Sequence, residues 1–200
     1  MAQTRTVQNG VNPLFVERWS PRAFDESGIT ADELKPLFEA ARWAPSAYNA
    51  QPWRFIYARR GTPAWPTFLD LLIPFDRQWA ERASAIVIAV SAQEFSLPGH
   101  EQPINTGYPS YDTGAAVAYL VLQASLSGLA AHIIAGFDKE KARRALAIPK
   151  KFQVESAIVI GRRSQADTLT PDLRAREAPT ERRPISQSVA EGRFDFGDDN

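Results

Sequence analysis

The 200-residue chain carries 23 basic and 23 acidic side chains, so no net charge draws it toward nucleic acid or an anionic membrane. A hydrophobic content of 44% suits a folded globule, and a chain of this length buries roughly 70% of its unfolded surface. Cysteine is absent and histidine is limited to His100 and His132. That excludes thiolate catalysis, Cys-ligated zinc, iron–sulfur clusters and disulfides, and leaves little for a hydrolase triad or a His-rich metal site.

The first residues lack the apolar core of a signal peptide, so a cytoplasmic protein is expected. Residues 12–24 (NPLFVERWSPRAF) predict a short helix ending in a polar turn. Thr30 with Glu33 forms a capping box that opens an amphipathic helix, with Leu34, Leu37, Phe38 and Ala41 on one side. Pro36 removes a backbone donor within it, so a distorted first turn is expected. The helix should stop before Pro45, and SAYNAQP predicts a loop. Three β-rich runs follow at Trp53–Arg59, Ser84–Val90 and Glu155–Gly161, with Ala130–Ala135 as a fourth candidate strand. Trp65–Ala83 predicts helix broken by Pro74, Gln93–Ser110 a Pro- and Gly-rich loop, and Lys139–Ala147 a short amphipathic helix.

No charged residue stands between Asp112 and Asp138. Gln123, Ser125, Ser127, Gly128 and His132 interrupt this stretch, which predicts a core helix and then a strand rather than a membrane span. After Arg163 the apolar side chains thin out and charges dominate. Residues 164–200 cannot build a core of their own, and are expected as a disordered tail or an arm lying over another subunit. Helices and strands follow one another without regular βαβ alternation, which favours an α+β class.

Two segments carry chemical information. Arg18-Trp19-Ser20-Pro21-Arg22-Ala23-Phe24 offers two guanidinium forks and a hydroxyl on one proline-pinned turn, the donor geometry that phosphate oxygens match. Two arginines beside a serine are also ordinary surface chemistry. Ala44-Pro45-Ser46-Ala47-Tyr48-Asn49-Ala50-Gln51-Pro52-Trp53 is a helix-to-strand loop of small residues and amides. It is able to meet a planar heterocycle, and equally able to serve as a plain connection.

In this order, the two segments resemble the amino-terminal signature of the FMN-dependent nitroreductase family. The resemblance continues through Tyr111-Asp112-Thr113-Gly114-Ala115-Ala116, the long apolar helix, Gly128-Leu129, Gly136-Phe137-Asp138 and the Ala157–Arg162 strand. It implies an α+β fold with a mostly antiparallel central sheet flanked by helices. A domain at 1–163 and a carboxyl-terminal arm at 164–200 on the partner subunit are expected. The family resemblance further implies a homodimer holding FMN at the subunit interface, with Arg18, Ser20 and Arg22 at the phosphate and ribityl chain and the Trp19 backbone beside them. Ser46, Ala47 and Asn49 would reach the flavin from the other subunit, and Ala135 and Gly136 would lie against the ring. Arg182 or Arg183, with Arg182 preferred, would complete the phosphate site.

The implied activity is ping-pong hydride transfer from NADH or NADPH to a nitroaromatic, quinone or activated alkene. Neither a catalytic side chain nor a metal is implied. A different flavin reaction (dehalogenation, azoline oxidation, flavin breakdown), or a flavin-binding dimer without turnover, is the alternative. No Gly-rich dinucleotide fingerprint is present, in keeping with a nicotinamide that docks transiently. Two departures stand out: Asp76 falls where relatives often carry Asn, and Ala135 replaces an acidic or polar residue of some members.

Overall fold

A computed structural model describes residues 5–196. Its sheet has four strands, β1 (Trp53–Arg59), β2 (Ala85–Ala92), β3 (Ala130–Ile134) and β4 (Phe152–Gly161), in the order β1-β2-β4-β3. Every neighbouring pair is antiparallel. The apolar run of β2 is buried along nearly its whole length because it lies inside the sheet with helices over both faces. β4 begins three residues earlier than the sequence predicts. It also contains a bulge, where Ala89 pairs with Ser156 but Val90 with Val154, leaving Glu155 as the extra residue.

Period-two alternation divides the core into two layers. Ile86, Ile88, Val90, Ala157 and Val159 face one way. They pack with Phe68 of α3 (Trp65–Asp70), Trp79 of α4 (Pro74–Ala80) and Ala142 of α6 (Lys139–Ala145). Ala85, Val87, Ala89, Ile158 and Ile160 face the other way. They meet Leu34, Leu37 and Ala41 of α2 (Ala31–Arg42) and Ala116, Leu120 and Ala124 of α5 (Pro109–Leu126). The fold is α+β, as expected.

The capping box forms at α2, with Thr30 Oγ1 accepting from Glu33 N at 3.2 Å and Glu33 Oε2 accepting from Thr30 N at 2.8 Å. The expected distortion at Pro36 is not seen, and α2 runs unbroken through it. Pro36 and Asp32, whose carbonyl loses its donor, are both exposed, so water satisfies that group. The helix predicted within 12–24 is short, α1 (Pro13–Glu17), and the chain then extends into the RWSPR turn. Among the described residues no helix is long and apolar enough to cross a membrane. One side of α5 nevertheless faces outward with Tyr111 78%, Tyr119 41% and Leu126 66% exposed.

The carboxyl-terminal stretch begins by packing on its own chain. Leu169 and Leu173, the latter on α7 (Pro171–Arg174), enter the first core layer. Residues 180–189 are exposed throughout.

Candidate functional site

The RWSPR turn is fixed through its backbone. Phe24 is fully buried, stacks on Trp79 at 6.2 Å and bridges to Arg163, which anchors the end of the turn to the sheet. On β3, His132 Nδ1 lies 3.0 Å from Pro21 O. A carbonyl only accepts, so this ring nitrogen carries the proton. The Glu177 carboxylate accepts from Arg22 N at 2.8 Å and from Ala23 N at 2.9 Å. Arg5 donates to Val16 O (2.9 Å), Arg18 O (3.1 Å) and Thr180 O (2.9 Å). The side-chain donors of the turn are thereby left over. Arg18 Nη1 reaches Ser20 Oγ at 3.3 Å, and the buried Arg22 Nε has no partner.

These side chains line a cleft of about 450 Å³ that gathers Arg5, Arg18, Arg22, Arg176 and Arg182 around Ser20 and His132. Among the described residues no acidic side chain lines it. Burial, and then the charges of Arg182 and Arg5, pull the Arg18 pKa below its usual value. Burial is also the main reason that the His132 pKa falls to about 4, with Arg22 and Arg18 pushing the same way and the Pro21 and Ser20 carbonyls opposing. His132 is therefore neutral at pH 7. Crowded guanidinium groups with an unspent buried donor require an anion to balance them. A neighbouring cleft of about 490 Å³ has Glu17 and Asp25 in its walls beside Arg162 and Arg163, and lacks this one-signed character.

Gly136 follows β3 and lies against α4. A Cβ there would stand 3.2 Å from Ile73 Cδ1 and 3.3 Å from Asp76 Oδ2, so backbone and carboxylate are close neighbours. Burial raises the Asp76 pKa, opposed by the hydrogen bond from Trp79 Nε1 (3.3 Å) and by Arg22. Asp76 thus links Gly136 to the arginine cleft. Ala135 and Gly136 are both exposed, which leaves this patch of backbone open.

The SAYNAQP loop stands elsewhere. Ala92 N, at the end of β2, donates to Pro52 O, whereas Ser84 N, just before β2, donates to Ile160 O beside the Phe24–Arg163 bridge. The eight residue steps from Ser84 to Ala92 separate the two by about 26 Å at 3.3 Å per residue. Tyr48, Asn49 and Gln51 all have left-handed backbone, with φ of 53°, 54° and 47°. Two local contacts hold this strain: Ala47 N donates to Asp112 Oδ2 (3.0 Å) and Gln51 N donates to Ser46 Oγ (3.0 Å). Tyr48 is 70% exposed and stacks on Phe95.

Within one chain, then, Arg18, Trp19, Ser20, Arg22 and Arg182 come together, with Ala135 and Gly136 adjoining through Asp76. Ser46, Ala47 and Asn49 do not join them. Arg182 lines the cleft and Arg183 does not. Sequence reasoning missed Arg5, Arg176 and Glu177, and took His132 for an ordinary strand residue. No local pattern marks any of the four, because each reaches the turn from a distant stretch of chain. Among the described residues no acidic or histidine group is arranged to hold a metal.

The chain is similar to known proteins in both sequence and fold. A solved structure described as an oxidoreductase containing FMN superposes with a TM-score of 0.92, at 38% identity and 98% coverage of both chains. An uncharacterized 15.4 kDa protein of Mycolicibacterium smegmatis is 32% identical over 70% of this chain and 97% of its own. An oxygen-insensitive NADPH nitroreductase of Helicobacter acinonychis is 28% identical over 66% of this chain and 77% of its own. The model of the nitroreductase family matches residues 16–162, and the chain belongs to that family of oxidoreductases.

Proposed function

We propose that the chain binds FMN and works as an NAD(P)H-dependent oxidoreductase on small electrophiles, as a homodimer with the cofactor between subunits. The observation that carries this reading is the acid-free cleft of five arginines, with a buried Arg22 Nε that has no protein partner, adjoining an open backbone patch at Gly136. A phosphate satisfies the first feature, and a flat ring system suits the second.

Arg18, Ser20, Arg22 and Arg182 would hold the phosphate and the start of the ribityl chain, beside the backbone of Trp19. Ala135 and Gly136 would lie along the ring, with no side chain at Gly136 to keep it away. Ser46, Ala47 and Asn49 would approach from a second copy, since roughly 26 Å of sheet keeps this chain's own loop away from its own cleft. The outward face of α5, with Tyr111, Tyr119 and Leu126, is uncharged and broad enough in character to meet its like. Residues 183–189, past the cleft and carrying exposed Ile185 and Val189, would lie over the partner.

The chemistry that bound FMN supplies is hydride acceptance from NADH or NADPH and delivery to a nitroaromatic, quinone or activated alkene in a second half-reaction at the same place. The protein binds, orients and shields; it needs no nucleophile or metal for that work. A cysteine-free chain is sufficient.

The test is the absorption spectrum of purified protein, the mass of the cofactor it releases, and nicotinamide oxidation with each acceptor class. Replacing Arg18 and Arg22 together with alanine is expected to weaken FMN binding by several kcal/mol, since each charge-assisted contact contributes about 1.5–3 kcal/mol. Undiminished flavin retention in that double variant would remove the phosphate assignment. Bound flavin without nicotinamide oxidation by any acceptor would leave a binding dimer in place of an enzyme.

A further inference from the structure

Both neighbours of Glu177 line the arginine cleft, as Arg176 and Ala178, but Glu177 itself does not. Its side chain turns the other way, onto the backbone of the RWSPR turn. There Oε1 accepts from Arg22 N (2.8 Å) and Ala23 N (2.9 Å), and Oε2 accepts from Arg22 N (3.0 Å). Two consecutive amides converging on one carboxylate form an anion-binding concavity, and here the chain fills it from within.

The carboxylate does two things by being there. It fastens a carboxyl-terminal segment that Arg5 also ties to the turn, by donating to Thr180 O and to Arg18 O. It also keeps the one acid of residues 174–180 out of a site lined by five cations. Arg176 and Arg182 are carried on that same segment, five residues apart from the latch on one side and one on the other, so their place across from Arg18 and Arg22 depends on where the segment is held.

We propose that Glu177 is the positioning residue of the anion cleft: its carboxylate latches the carboxyl-terminal segment to the Arg22 and Ala23 amides and so sets Arg176 and Arg182 opposite Arg18 and Arg22. This rests on the reading of the cleft as the flavin phosphate site. The latch acts on the phosphate end, because Gly136 and Asp76 are placed by β3 and α4 while the hydrogen bonds of Glu177 run to Arg22 and Ala23. FMN and riboflavin differ only in that phosphate, and together they separate a positioning role from general support of the fold.

The experiment measures dissociation constants of FMN and of riboflavin for flavin-stripped full-length protein, comparing wild type with Glu177→Ala and Glu177→Gln, alongside the thermal midpoint of each stripped protein. Glu177→Ala is expected to lose about tenfold or more in FMN affinity while riboflavin affinity changes by less than about threefold, a tenfold loss being one misplaced charged contact. Glu177→Gln, which keeps an oxygen to accept from the amides, should recover part of that loss and stay folded if the alanine variant does not. Tryptic cleavage after Arg182 should quicken in Glu177→Ala as the segment comes free, and an unchanged rate there would count against the latch. Equal losses for the two flavins, or no loss of FMN affinity in either variant, would overturn the latch. If wild type itself binds riboflavin as tightly as FMN, the phosphate assignment fails, and the latch falls with it; a wild-type preference for FMN with unaltered variants removes the latch alone.

Discussion

His132 owes its charge state to the place that β3 gives it, its ring 4.8 Å from the Trp79 ring and tilted 37° to it, and facing Arg18 and Arg22. Its folded pKa of about 4 lies below the usual 6.5, so the unfolded chain takes up a proton across that window and the folded chain does not. The sign follows: the contribution is fully present above pH 6.5 and is lost as pH falls toward about 4, at up to about 1.4 kcal/mol per pH unit. Urea unfolding at about pH 7 and about pH 5 should show a wild-type loss that His132→Asn, which keeps the donor to Pro21 O without the titration, largely removes. An identical pH response in the two proteins would refute it. Asp76 acts in the other direction. A carboxylate beside Gly136 and the proposed ring disfavours added electron density there. Asp76→Asn is therefore expected to raise the midpoint potential of bound flavin by tens of millivolts, where about 30 mV corresponds to 1.4 kcal/mol for a two-electron couple. Spectroelectrochemical titration reads this directly, and an unchanged or lower potential would rule it out.

At the scale of elements, the turn is placed by the seam between β2, β4 and Phe24. Gly161 closes β4 where a Cβ would stand 2.8 Å from Phe24 Cδ1 and 3.1 Å from Ser84 N. Phe24 cannot yield, since Trp79 stacks on it and the sheet lies behind it. Gly161→Ala is accordingly expected to cost about 1–3 kcal/mol, measured by chemical denaturation, and to loosen the turn that presents Arg18 and Arg22. Unaltered stability would mean that Phe24 has room to move. Most of these elements were legible in the sequence because their signals are local. Thr30 and Glu33 mark the start of α2, a run of aromatic and β-branched residues marks β1, and Gly128 marks the end of α5. The early start of β4 was missed although Phe152-Gln153-Val154-Glu155 alternates apolar with polar residues, because four residues alone do not separate a strand from a loop; pairing of Phe152 with Ala92 and of Val154 with Val90 decides it.

At the scale of the whole molecule, the outward side of α5 and the separation of the two expected flavin contacts both point to a second copy. Introducing Tyr119→Asp with Leu126→Asp is expected to shift a dimer to monomer in light scattering, and to release flavin together with it, since neither copy alone carries both halves of the proposed site. A dimer that survives both charges places the interface elsewhere. Arg18, Ser20, Arg22 and Arg182 could be singled out from the sequence, but not their meeting in one cleft. Arg5, Arg176 and Glu177 were invisible for the same reason, since they reach the turn or its cleft from other stretches of the chain.

The sequence by itself determined the class of fold, the family and the two segments bearing polar groups, because capping, periodicity and a run of motifs in fixed order are properties of neighbouring residues. Only the tertiary structure decided that five arginines share one acid-free cavity, that His132 is neutral, and that Glu177 faces amides instead of guanidinium groups. Charge state and side-chain direction depend on burial and on partners from remote segments, and no local pattern encodes those.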